Sequence, residues 1–237
     1  MAFDGVTIAG IVSELRDKLV GNRIYKIAQP EKDELILTVR GSCGQVRMLM
    51  SADASLPLLY LTEKNKTSPM TAPNFCMLLR KHLQNARIIS VAQPGLERIV
   101  RFELEHLNEL GDLCRKYLII ELMGKHSNII FCDDKDMIID SIKHISGMVS
   151  SVREVLPGRS YFIPETQKKK NALDTNREEF FQTILSSGQP VYKMLYASYT
   201  GFSPVFAQEL CFRAGLDGDA STASLSEDGM KKLYDVF

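Results

Sequence analysis

The chain has 237 residues, 45% of them apolar and 24% charged, with 29 Lys and Arg balancing 29 Asp and Glu. That length admits one large domain or a medium and a small one. No apolar run approaches the roughly eighteen residues of a membrane span, and the zero formal charge excludes a whole-chain field for nucleic acid, so any such binding must use local patches. The N-terminus MAFDGVTIAG lacks the basic start and continuous apolar segment of a secretory signal, so export by that route is not expected. The five cysteines (Cys43, Cys76, Cys114, Cys132, Cys211) are scattered, which fits a reducing cytoplasm and a role as core fillers. The four histidines show no ligand spacing with one another or with the cysteines, so no metal centre is expected.

Residues 7–20 place Ile8, Ile11, Val12, Leu15 and Leu19 at helical spacing, with Gly21-Asn22 as the stop. The segments RIYKIAQ, ELILTVR, QVRMLMS and LPLLYLT follow, separated by polar turns, and predict consecutive antiparallel strands. A second helix is predicted from about Asn74 to Asn85, burying Phe75, Leu78, Leu79 and Leu83. Arg80, Lys81 and Gln84 share its opposite side, which is either a solvated face or a contact surface. Strands resume with RIISVAQ, RIVRFELEH, YLIIELM, NIIFCD and MIIDSIK.

The stretch ELMGKHSNIIF resembles a phosphate cradle only superficially. Ile119 stands where a P-loop has its first glycine, His126 replaces the Ser or Thr after the lysine, and the next element is a strand. A hairpin turn is expected instead. From Val155 the texture changes to a proline- and lysine-bearing segment that reads as a linker or wrapping segment, with a boundary near Ala172. Four short helices are predicted beyond it, the third capped by Ser203, begun by Pro204 and ended by Gly215. The chain stops at Phe237 within a helical stretch, so a piece of a longer protein is expected.

Two constellations stand out. Gly201-Phe202-Ser203, followed by Ala207, resembles a helix-hairpin-helix turn with serine in place of its second glycine. Such a turn is either an ordinary helical hairpin or a phosphate binder using backbone N–H groups. Alternation in ERIVRFELE puts Arg98 on the same side as Val100, Phe102 and Leu104, where an arginine needs a partner. Asp4 is a candidate, and the choice lies between a buried ion pair and a ligand-binding role. No nucleophile and base are paired, so neither an enzyme nor a cofactor is expected.

Several blocks taken together resemble one family. FDG with the helix after it, PNFCMLLRKHL, QPGLERIVRF, ELMGKHSNIIF and REVLPGRSYFIPETQKKKNAL run in order from Asp4 to about Leu173 and look like the N-terminal domain of the NFACT family. The resemblance implies an α+β fold. Residues 1–172 would form a two-layer antiparallel β domain with flanking helices, similar to the N-terminal fold of formamidopyrimidine-DNA glycosylases. Residues 173–237 would form a small all-α domain of helix-hairpin-helix type.

It also implies a cytoplasmic, ribosome-associated quality-control role. Family members bind the large ribosomal subunit carrying peptidyl-tRNA and recruit alanyl-tRNA, so that stalled chains are tailed without mRNA. The positions implied in tRNA binding are Asp4, Glu97 and Arg98. Glu97 departs from the family's usual Asp, keeping the charge and altering the reach. Arg80, Lys81, Gly201 and Ser203 are candidate RNA contacts. DNA is not an expected partner, because Met1-Ala2-Phe3 lacks the proline and glutamate with which those glycosylases act. The older family label offers an alternative, a fibronectin-binding surface adhesin.

Overall fold

The computed structural model describes residues 3–41, 44–108, 110–164 and 168–237. Cys43 and residues 165–167 of the IPETQKKK block lie outside them. The chain divides into two compact units: a β unit built mainly from Gly10–Gln93 and Arg98–Pro164, and a helical unit of Asp4–Ala9, Pro94–Glu97 and Glu165–Phe237. The division after Pro164 lies earlier than Ala172, and two short stretches from the first part of the chain belong to the helical unit.

Helix α1 (Gly5–Leu19) buries the stripe Ile8, Val12, Leu15 and Leu19, while Ile11 stays half-exposed. The strands of the β unit are β1 (Arg23–Glu31), β2 (Glu34–Gly41), β3 (Gly44–Ser51), β4 (Leu58–Thr62), β5 (Arg87–Ala92), β6 (Ile99–Leu107), β7 (Leu113–Glu121), β8 (Asn128–Cys132) and β9 (Ile138–Ser141). All pair antiparallel, in the order β4-β3-β2-β1-β5-β6-β7-β8-β9. Within each meander, β1 to β4 and β5 to β9, neighbours in chain order are neighbours in space, as short polar turns require; the chain passes from β4 to β5 through the helix at Asn74–Leu83, and β5 pairs with β1 instead.

The resemblance implies two layers; the hydrogen bonding makes the two meanders one sheet, bridged between β1 and β5 at the Arg23–Arg87 pair. Central strands are covered on both faces. Every residue of β8 is buried, and so are Glu34 to Val39 of β2, which explains their near-continuous apolar character.

Helix α2 (Asn74–Leu83) buries Phe75, Cys76, Leu79 and Leu83. Cys76 takes the place predicted for Leu78, which is half-buried, because the thiol turns toward the Ile27 carbonyl. Between β7 and β8 the residues Gly124–His126 form one 3-10 turn, with Gly124 at φ 58°. Ser127 closes it by accepting the Met123 N–H at 2.8 Å. The segment after β9 wraps onto the sheet: Ile145 and Val155 exchange backbone hydrogen bonds, and Val155 and Tyr161 join the cluster of Ile99, Ile119, Ile130 and Cys132.

The helical unit contains α3 (Arg177–Leu185), α4 (Val191–Ser198), α5 (Pro204–Arg213) and α6 (Glu227–Val236). Asn176 and Glu179 form a capping box on α3. Ser203 caps α5 with Pro204 in its first turn, and Gly215 follows at φ 69°. An aromatic core gathers Phe180, Tyr199, Phe202 and Phe237, with the Phe180 and Phe237 rings 4.4 Å apart.

Candidate nucleic-acid interface

In the helical unit, two helix N-termini share one carboxylate. Asp4 precedes α1 and accepts the Thr7 N–H through Oδ1 at 2.8 Å. Its Oδ2 accepts the Ser203 hydroxyl at 2.6 Å, and the same Ser203 Oγ accepts the Phe206 N–H at 3.1 Å. One hydroxyl thus relays between the two caps, and both positive helix ends face the same anion. Burial works to raise the pKa of Asp4, but the hydrogen bonds from Ser203 and Thr7 outweigh it and hold the carboxyl below its ordinary value.

The backbone closes around this pair. The Gly5 N–H donates to the Gly201 carbonyl at 2.7 Å. A Cβ on Gly5 would stand 2.0 Å from the Leu96 carbonyl oxygen, and one on Gly201 would stand 2.1 Å from it. Gly201 also lies at φ 78°, so glycine is required there twice over. At the start of α5, Pro204 has no N–H and the Phe206 N–H is taken by Ser203, which leaves Val205 as the remaining first-turn donor. Gly201 and Ser203 are thus committed to joining chain segments.

Glu97 lies in the helical unit, at the end of a turn in which its N–H donates to the Pro94 carbonyl at 2.9 Å. Arg98 begins the next stretch of the β unit, and its carbonyl accepts the Leu122 N–H at 2.8 Å, extending the β6–β7 ladder by one rung. Val100, Phe102 and Leu104 are buried, as alternation predicts, while Arg98 at the edge of that face is half-exposed. Among the described residues its guanidinium makes no ion pair or hydrogen bond. Asp4, the partner considered from the sequence, has both oxygens engaged within its own unit.

Arg80 is partly used by the fold: its Nε donates to the Ile27 carbonyl of β1 at 2.9 Å, and Nη1 lies 3.8 Å from Met77 Sδ. Lys81 is exposed beside it. Three cysteines are buried core residues, and burial pushes the Cys132 thiol up to about 12 and Cys211 to about 11, so neither supplies a thiolate.

One polar cluster was missed in the sequence. Glu121, the first residue of ELMGKHSNIIF, is buried and accepts Arg153 Nη2 through both oxygens at 2.9 and 2.7 Å, with Tyr161 OH donating at 3.0 Å. Only an acid inside an otherwise apolar run hinted at it. The cluster ties the wrapping segment to β7.

The family profile described as NFACT N-terminal and middle domains matches residues 4–237. The chain belongs to the NFACT family. Among NFACT relatives, the Rqc2 homolog RqcH of Bacillus subtilis is 38% identical over 217 residues, which cover 91% of this chain and 38% of that protein. The ribosome quality control complex subunit NEMF of Mus musculus is 22% identical, over 92% of this chain and 20% of its own length. The NFACT chain thus spans well under half the length of these relatives. The crystal structure of the N-terminal domain of fibronectin-binding protein PavA from Streptococcus pneumoniae matches with a TM-score of 0.82 at 38% identity. That match covers 88% of this chain and 78% of the other. Among the described residues, no helix is long and apolar enough to cross a membrane.

Proposed function

We propose that this chain is the tRNA-engaging N-terminal part of a ribosome-associated quality-control factor. In this reading the factor works in the cytoplasm on large ribosomal subunits carrying peptidyl-tRNA. It recruits alanyl-tRNA to tail stalled chains without mRNA, and peptidyl transfer stays with the ribosome. The observation that carries the reading is Arg98: a half-exposed guanidinium, unpaired among the described residues, on a backbone position hydrogen-bonded to Leu122 immediately before β6, in a chain whose relatives are named for ribosome quality control. A guanidinium free in this way can make paired hydrogen bonds to a phosphate or to a base edge of an unstacked loop.

Glu97 is the carboxylate that would accept from base amino groups. Asp4 acts mainly by holding two helix starts in place, and its remaining lone pairs are the part open to RNA. Arg80 and Lys81 supply cationic surface on α2, and Gly201 and Ser203 shape the hairpin.

Arg98→Ala in the full-length protein is expected to abolish alanine tailing in a stalled-translation assay while the circular dichroism spectrum is unchanged. Tails of normal length would overturn the assignment. A second reading, adhesion to fibronectin, is favoured by the name of the PavA neighbour. Cell fractionation separates the two: the proposed role places the protein with ribosomal subunits, and adhesion places it on intact cell surfaces.

A further inference from the structure

A cavity of roughly 670 Å3 in the β unit is lined by Lys26 and Gln29 of β1, by Met70 in the loop before α2, and by Asn74, Met77 and Arg80 of α2. Its size is that of a small-ligand site. Three features make it chemically unsatisfied. The start of α2 is uncapped: Pro73 offers no side-chain oxygen, the first helical bond runs from the Met77 N–H to the Pro73 carbonyl, and no described residue accepts from the N–H groups of Asn74, Phe75 or Cys76. No acid stands in that first turn to balance the positive helix end.

Two cations border the same space, Lys26 exposed and Arg80 tied through Nε to the Ile27 carbonyl and through Nη1 to Met77 Sδ. Finally, Gln29 is 4% exposed, and its Oε1 is buried without a hydrogen-bond partner. Its Nε2 donates to the Lys32 carbonyl at 3.1 Å, which fixes the amide orientation and leaves the oxygen as the orphan.

These demands are of different kinds. The helix start and the cations call for an anion, Gln29 calls for a hydrogen-bond donor, and the thioethers of the exposed Met70 and Met77 offer soft apolar walls. A free phosphate meets the first alone. A nucleotide of an unstacked RNA strand meets all three: its phosphate lies at the helix start between Lys26 and Arg80, its base rests on the methionines, and a base amino group reaches Gln29. We infer that the α2 cavity is a nucleotide-binding pocket for single-stranded RNA, separate from Arg98. The inference rests on the RNA-binding reading above for the choice of RNA, and on the unsatisfied groups for the site.

The test is fluorescence anisotropy of the protein with a short labelled oligocytidylate, in an Arg98→Ala background so that Arg98 does not supply the signal. Lys26→Gln, at an exposed side chain, is expected to weaken binding about fivefold and to reduce the slope of log K against log salt by about 0.7. A strand of the same length without bases is expected to bind at least about fivefold more weakly than the cytidylate. An unchanged affinity and salt slope in Lys26→Gln would overturn the pocket, as would equal binding of the baseless strand or of a phosphoserine peptide. Loss of the pocket while Arg98→Ala still abolishes tailing removes this inference alone. A Lys26-dependent pocket with normal tailing in Arg98→Ala removes the proposed function and keeps the pocket.

Discussion

Arg153 and Arg98 belong to the same β unit, and their surroundings differ in every respect that decides what an arginine can do. The Arg153 side chain is 9% exposed and its partner Glu121 1%. Its guanidinium donates to both Glu121 oxygens and to the Phe162 carbonyl, and it lies over the Tyr161 ring at 5.2 Å. Burial works to lower its pKa, and the Glu121 carboxylate more than restores it. A cation enclosed in this way has its charge matched by a buried acid and most of its donors committed to the fold. Arg98 keeps its donors because the fold uses only its backbone. The contrast teaches that the cost of burying a charge, met at Arg153 by a matched acid, is avoided at Arg98 by leaving it at the edge.

The comparison is broken most severely at Glu121. Glu121→Ala leaves the Arg153 charge buried and unpaired, so a loss of about 3–5 kcal/mol is expected in urea unfolding. A loss under about 1 kcal/mol would mean that the wrapping segment is anchored by its apolar residues alone.

Asp4 sharpens the contrast at intermediate size, since its carboxylate serves two helix caps without any cation. Asp4→Ala is expected to cost about 1 kcal/mol by the same measurement. The native pKa of Asp4 is lowered, so the unfolded chain takes up its proton at a higher pH than the folded chain. The stabilisation from this carboxylate is therefore complete above the ordinary Asp value of about 3.9 and is lost as pH falls through the lower folded value. Unfolding curves of the native protein and Asp4→Asn, taken from neutral pH downward, should converge in that acid range. A constant gap across it would remove Asp4 as the ionised cap.

The smallest effect is expected at Arg98. Arg98→Ala should change stability by no more than about 0.5 kcal/mol, in keeping with a side chain that the fold does not use. A loss as large as that of Glu121→Ala would show a structural arginine and undercut the reading of its tailing phenotype.

Much of the framework was legible from residue spacing. The nine strands, the α2 stripe around Phe75, Leu79 and Leu83, and the Ser203 cap all follow from local periodicity and capping chemistry. The side on which Val100, Phe102 and Leu104 are buried was legible for the same reason: alternation along a strand is a local property.

What escaped were pairings across distance. Glu121 meets Arg153 and Tyr161 across 32 and 40 residues, and Asp4 meets Ser203 across 199. Gly201 read as a hairpin glycine, although its lack of a side chain is demanded as much by the Leu96 carbonyl as by its own φ. Gln29 gave no signal at all, because an orphaned oxygen is a property of its surroundings.

By itself, then, the sequence determined the elements, their order, the face each one buries and the family to which the chain belongs, because these depend on periods of two and 3.6 residues and on contiguous blocks. Only the tertiary structure decided which charges are spent and which remain available. Whether a guanidinium is quenched depends on which acid the folded chain brings within about 3 Å of it, and no local pattern encodes that distance.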